Sequence, residues 1–285
     1  GTAPIGVLQI LHNEGIRINQ IAGSSAGAVI GAMYAAKEDP LWIENRINKF
    51  VNSKIFKGLG TDRMIPDRDP HSAISQIAKK VQDQFVFIMS MNKTFILKKD
   101  RLRSALDFLL PVKTFEELKI PFSCLTLDLN SGEDIIFKTG DLVEAILASS
   151  AIPGFIPPVE KNGLLLTDGS VSCPVPVITV RKMGADLSIS VNVGMNNYET
   201  LQNPNLLHVL GGLKANKADI TIRPNTMDVY WAEFNKIDQL IQNGENETDQ
   251  LLWDIKTDLK KKKGIRRKVS HFFEFISGRE QDQAA

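Results

Sequence analysis

Gly23-Ser24-Ser25-Ala26-Gly27 fits the pattern G-x-S-x-G. That spacing suits a sharp turn from a strand into a helix, in which flanking glycines permit the tight approach and the middle serine is pushed out with its hydroxyl exposed. Ser25 is therefore the candidate nucleophile, and Gly23 and Gly27 are the motif glycines. Ser25 would also open the following helix, where free N–H groups and the positive dipole end favour a developing oxyanion. The Ala26 N–H is the nearest such donor. The five residues alone also describe an ordinary glycine-rich turn. Context favours the elbow, because Ile16–Ala22 reads as an apolar strand and Ala26–Ala36 as a buried helix of small residues. Ser24 lacks paired glycines two residues away on both sides.

A serine hydroxyl needs a base to take its proton. The chain has four histidines, His12, His71, His208 and His271. His271 falls in the basic C-terminal stretch, so only His208 comes both late enough and in a suitable region to complete a Ser…Asp…His order. Asp168 is the other candidate. It ends the apolar run Leu164-Leu165-Leu166-Thr167 and precedes Gly169, a position where sites form in α/β sheets. An Asp-Gly turn is the plainer alternative at that position. No His/Cys/Asp/Glu cluster has metal-ligand spacing, and no phosphate-loop lysine motif occurs. Neither a metal nor a cofactor is expected.

The elements that would carry these residues read as α/β. The 285 residues are 43% hydrophobic and 24% charged, ordinary for one large domain. Val7, Leu8, Ile10 and Leu11 mark the buried face of a first helix, with Pro4 in its first turn and Gly15 as its stop. Gly27 and Gly31, four apart, would let another backbone approach one face of the Ala26–Ala36 helix. Residues 41–110 read as mainly helical. Phe122–Leu129 and Asp134–Lys138 form a hairpin around Asn130-Ser131-Gly132-Glu133. Asp141–Ser149 is a short helix, Ala151–Pro158 an irregular loop, and Leu187–Val193 and Asp219–Arg223 are strands. Helical character returns from Val229. A domain over 1–252 with a basic helical tail over 253–285 is the simplest organisation. Phe85–Met89 and Phe155-Ile156 are apolar segments that could line a pocket or simply belong to the core.

Net charge is +1, which gives the whole chain no attraction for nucleic acid, and no nucleic-acid partner is expected. The charge is uneven, however. Lys256–Lys268 holds eight basic residues, followed by Phe272, Phe273, Phe275 and Ile276. Such a stretch is either a solvated helix end or a contact for an anionic membrane surface. Trp253 would anchor such a tail or pack on the domain. Cys124 and Cys173 neither demand nor exclude a disulfide, with a reducing compartment the better fit. No run of about 20 apolar residues and no signal-peptide pattern is present. A cytoplasmic or peripheral membrane location is expected on that basis.

Four segments, taken in order, resemble the patatin-like phospholipase family: Gly6-Val7-Leu8, Gly23-Ser24-Ser25-Ala26-Gly27, Ala148-Ser149-Ser150-Ala151-Ile152-Pro153-Gly154-Phe155-Ile156-Pro157-Pro158 and Thr167-Asp168-Gly169. Asp219–Pro224 is similar to the closing strand of bacterial members of the neuropathy-target-esterase type. The resemblance covers about residues 1–250. It implies a three-layer α/β/α fold with a mainly parallel central sheet, and a Ser25–Asp168 dyad with no histidine. It also implies hydrolysis of a lipid ester through an acyl-enzyme, without a cofactor. The family places its oxyanion donors in a glycine-rich loop ahead of the first helix. Here only Gly1 could belong to that loop, Pro4 stands where the family often has histidine, and further residues upstream are expected. A Ser25–Asp168–His208 triad, or a catalytically silent membrane-binding relative, are the alternatives.

Overall fold

A computed structural model describes residues 1–60, 97–193, 218–226 and 234–282, with side chains through Lys262. In chain order the elements are α1 (Ala3–Asn13), β1 (Ile21–Gly23), α2 (Ala26–Lys37), α3 (Pro40–Val51), α4 (Lys54–Leu59), α5 (Lys99–Leu109), β2 (Phe122–Asp128), β3 (Asp134–Phe137), α6 (Leu142–Ser149), β4 (Val159–Lys161), β5 (Leu164–Asp168), α7 (Val177–Lys182), β6 (Ile189–Val191), β7 (Ile220–Ile222) and α8 (Ile237–Asp282). Local chemistry sets several ends. Asp39, Ser53 and Asp141 accept N–H bonds at the starts of α3, α4 and α6. Glu38 closes α2 in the left-handed region at φ 57°.

The chain folds into three layers, helix on sheet on helix. Alternation along β2 shows this directly. Phe122 and Cys124 face α2 and α6, with the Cys124 thiol on the Ala145 carbonyl. Ser123, between them, turns to Met183 just past α7 on the other face. The main core fills the first side with Ile30, Met33, Leu106, Phe122, Ile146 and Leu166. A second, smaller cluster joins α1, β7 and α8 through Val7, Leu11, Ile222 and Ile255. Where α1 and α8 cross, only glycine fits. A Cβ on Gly6 would stand 2.0 Å from the Ile241 carbonyl oxygen, and one on Gly244 2.1 Å from that of Ala3.

The expected parallel pairing holds for β1–β2 and β6–β7. β2–β3, β2–β5 and β4–β5 run antiparallel, so the described strands form a mixed arrangement rather than a mainly parallel one. The reason is connection length. Asn162-Gly163 between β4 and β5, and Leu129–Glu133 between β2 and β3, are too short for a crossover. The strand β4 carries no separate sequence signal, since it follows directly on the proline-rich loop. The 252/253 boundary falls inside the continuous helix α8.

The register of β2 brings distant segments together. β3 occupies one edge of β2, pairing along Cys124–Leu127. On the other edge β1 pairs with Phe122–Cys124, and β5 with Thr126–Asp128 in the opposite direction. β1 and β5 therefore meet end to end, with Gly23 opposite Cys124 and Asp168 opposite Thr126.

Candidate active site

Two residues past Gly23 the chain makes its turn. Ser25 has φ 53° and ψ −129°, a region that side-chain-bearing residues rarely enter. Its side chain lies close enough to the Asp168 carboxylate to hold that group's pKa down. Asp168 is 2% exposed and also accepts the Ser170 N–H at 2.8 Å. Burial dominates its ionisation and pushes its pKa above the ordinary value, while Ser25 and Ser170 pull it part of the way back.

The motif glycines differ in what requires them. A Cβ on Gly23 would lie 2.5 Å from the Gly27 carbonyl oxygen, and one on Gly169 2.4 Å from that of Leu125. Both are packed backbone to backbone. A Cβ on Gly27 would meet nothing within 4 Å. The expected close approach on the Gly27/Gly31 face is therefore absent at Gly27. At Gly31 the neighbours are the Ile21 and Phe122 side chains, not another backbone.

Ser25, Asp168, Ala26 and Gly27 line a cavity of about 1320 Å³. One side is apolar, formed by Ile30 of α2, Ile47 and Phe50 of α3, and Leu102, Leu106 and Leu109 of α5. The cavity continues between β1 and β6, and Gly1 lies on its wall. The Ala26 N–H, at the exposed start of α2, has no acceptor among the described residues. Ile156 lines the cavity, whereas Phe155 is buried in the core. Phe85–Met89 lies outside the described residues, as do His71 and His208. His12 is exposed on α1. Among the described residues no group of three or more His, Cys, Asp or Glu could hold a metal ion. Cys124 and Cys173 are free thiols.

Two serines at the site were missed as contributors. Ser24 is buried and its hydroxyl donates to the Pro174 carbonyl at 3.1 Å, tying the elbow to the segment after Asp168. Ser149 accepts the Ser25 N–H at 2.9 Å. It stands in the Ala148–Pro158 segment, whose resemblance to the family is the only signal of it in the sequence.

The family model for patatin-like phospholipases matches residues 1–180. The chain belongs to the patatin-like phospholipase family. An uncharacterized NTE family protein of Mycobacterium tuberculosis is 33% identical over 193 residues, 68% of this family member and 46% of that protein. The human patatin-like phospholipase domain-containing protein 6 is 26% identical over 196 residues, covering 68% of this chain and 12% of that one. This patatin-like chain thus spans about half the length of the mycobacterial relative, at 46%. The crystal structure of VipD from Legionella pneumophila superposes with a TM-score of 0.47 at 15% identity, over 89% of this chain and 64% of that one.

Proposed function

We propose that this chain is a serine lipid acyl hydrolase, working through a Ser25–Asp168 dyad and an acyl-enzyme. The observation that carries the reading is the Ser25 side chain beside a buried Asp168 carboxylate, both on the wall of a largely apolar cavity. Ser25 Oγ attacks the ester carbonyl carbon and its proton passes to Asp168. The carbonyl oxygen becomes an oxyanion next to the free Ala26 N–H, with Gly1 on the same cavity wall as the second donor candidate. Collapse breaks the C–O bond, and Asp168 returns the proton to the leaving alcohol. Water then attacks the acyl-enzyme and gives its proton to Asp168. The second collapse releases the fatty acid and restores the Ser25 hydroxyl.

Desolvation supports the role of Asp168. A carboxylate at its usual pKa of about 4 is a weak base, and its strength rises with its pKa. The apolar wall of α2, α3 and α5 suits an acyl chain. Cations from Lys256 onward in α8 supply the peripheral contact with an anionic membrane surface. Trp253, 75% exposed, lies beside them rather than against the domain. Among the described residues no helix is long and apolar enough to cross a membrane.

The test is labelling by a fluorophosphonate together with hydrolysis of a phospholipid and lysophospholipid panel. Ser25→Ala is expected to abolish both. His208→Ala is expected to retain near-normal turnover, whereas a fall of about 10³-fold or more would establish the triad instead.

A further inference from the structure

One residue on the site-side edge of β2 belongs to neither neighbouring strand. β1 pairs as far as Cys124 and β5 starts at Thr126, so Leu125 lies at the junction. Its carbonyl oxygen accepts the Ser149 hydroxyl proton at 2.6 Å. Ser149 is fully buried at the end of α6. Its oxygen in turn accepts the N–H of Ser25 at 2.9 Å. The direction of both bonds is fixed, since a carbonyl can only accept and an amide N–H can only donate. One hydroxyl therefore fastens α6, β2 and the serine elbow together where β1 and β5 meet end to end.

Ser25 needs such a fastening. Its φ of 53° and ψ of −129° form a conformation that persists only where the surroundings hold it. The bond also withholds the Ser25 N–H from the substrate. The Ala26 N–H is then the elbow amide left to face an oxyanion. We propose that Ser149 is a positioning residue for the reaction: through the backbone of Ser25 it sets where the nucleophilic oxygen stands relative to Asp168.

This inference rests on the nucleophile reading above, and the experiment separates the two. The full chain is reacted with a fluorophosphonate, the second-order rate of labelling at Ser25 is measured, and kcat and KM are determined on a lipid ester. Ser149→Ala is expected to label about 10- to 100-fold more slowly, because a displacement near 1 Å in a reacting group costs that much. Its kcat is expected to fall with KM unchanged. Ser149→Cys keeps the shape with a weaker donor and acceptor and is expected to fall between Ala and Ser. If the Ala variant fails to fold, the Cys variant decides alone. Thr248→Val is the control. It removes a buried hydroxyl that donates to the Gly244 carbonyl at 2.6 Å in α8, away from the elbow, and is expected to leave the labelling rate unchanged. Wild-type rates in both Ser149 variants would overturn the positioning role while leaving Ser25 as the nucleophile. Absence of labelling at Ser25 in the unmodified chain would overturn both.

Discussion

The two motif glycines are interchangeable in the sequence pattern but not in the structure, and alanine at each distinguishes the reasons. At Gly23 the added carbon would stand 2.5 to 2.7 Å from the backbone of Gly27 and Ala28. Carbon–carbon contact is comfortable at about 3.5–4.0 Å, so the start of α2 has to move by about 1 Å. Overpacking of that size costs about 1–3 kcal/mol. For a chain of this length each kcal/mol lowers Tm by about 2–4 °C. Gly23→Ala is therefore expected to lose several degrees, and activity with them, since the helix start that moves carries Ser25. At Gly27 nothing lies within 4 Å of the added carbon and the residue is already helical. Replacing a helical glycine by alanine gains up to about 1 kcal/mol. Gly27→Ala is expected to match or exceed the parent Tm, with any loss of turnover appearing mainly in KM as the methyl enters the cavity. Differential scanning calorimetry and kinetics on one ester supply both readouts. Equal destabilisation by the two substitutions would refute the packing argument.

Asp168→Asn is expected to abolish turnover yet raise Tm at pH 7 and above. A carboxylate whose folded pKa is raised contributes stability that is complete below its ordinary pKa and is lost as pH rises through the raised value. The gain over the parent chain should therefore shrink toward zero as pH falls to about 4; a gain independent of pH would show that the carboxylate's charge is not its cause. The same raised pKa places the acid limb of kcat/KM above the ordinary carboxylate range, which a pH profile of the parent enzyme checks. Ser25→Gly is expected to be more stable than Ser25→Ala in chemical denaturation, because only glycine adopts φ 53° and ψ −129° without strain of about 1–3 kcal/mol. Removing residues 264–285 spares Ile255, Leu259 and Lys262, and is expected to weaken co-sedimentation with vesicles containing phosphatidylserine. Unchanged co-sedimentation would remove residues 264–285 from membrane contact.

Much of the site was legible because its logic is local. Gly23 to Gly27 form a strand–turn–helix unit within a few residues, and β1 ends and α2 begins where glycine and small-residue spacing place them. Asp168 stood out because an apolar strand ran into an acid and a glycine, and its burial follows from the strand it ends. The hairpin around Gly132 was equally readable, since turn chemistry belongs to one or two residues.

Other features depend on partners far away in the chain, and no local pattern encodes those. The meeting of Ser25 with Asp168 is set by β1 and β5 sharing one edge of β2, a matter of register between segments remote in the chain. The antiparallel order of β2, β5 and β4 follows from the same pairing. The apolar wall comes from α3 and α5 rather than from Phe155, because helix packing selects which Leu and Phe side chains face a cavity. Ser149 looks like any helix-end serine until the Leu125 carbonyl and the Ser25 amide are seen on either side of its oxygen. Residue types and short spacings determine which groups can react and how the chain turns around them. Tertiary structure decides which of those groups come within hydrogen-bonding distance, because that depends on strand register and on the close packing of elements remote in sequence.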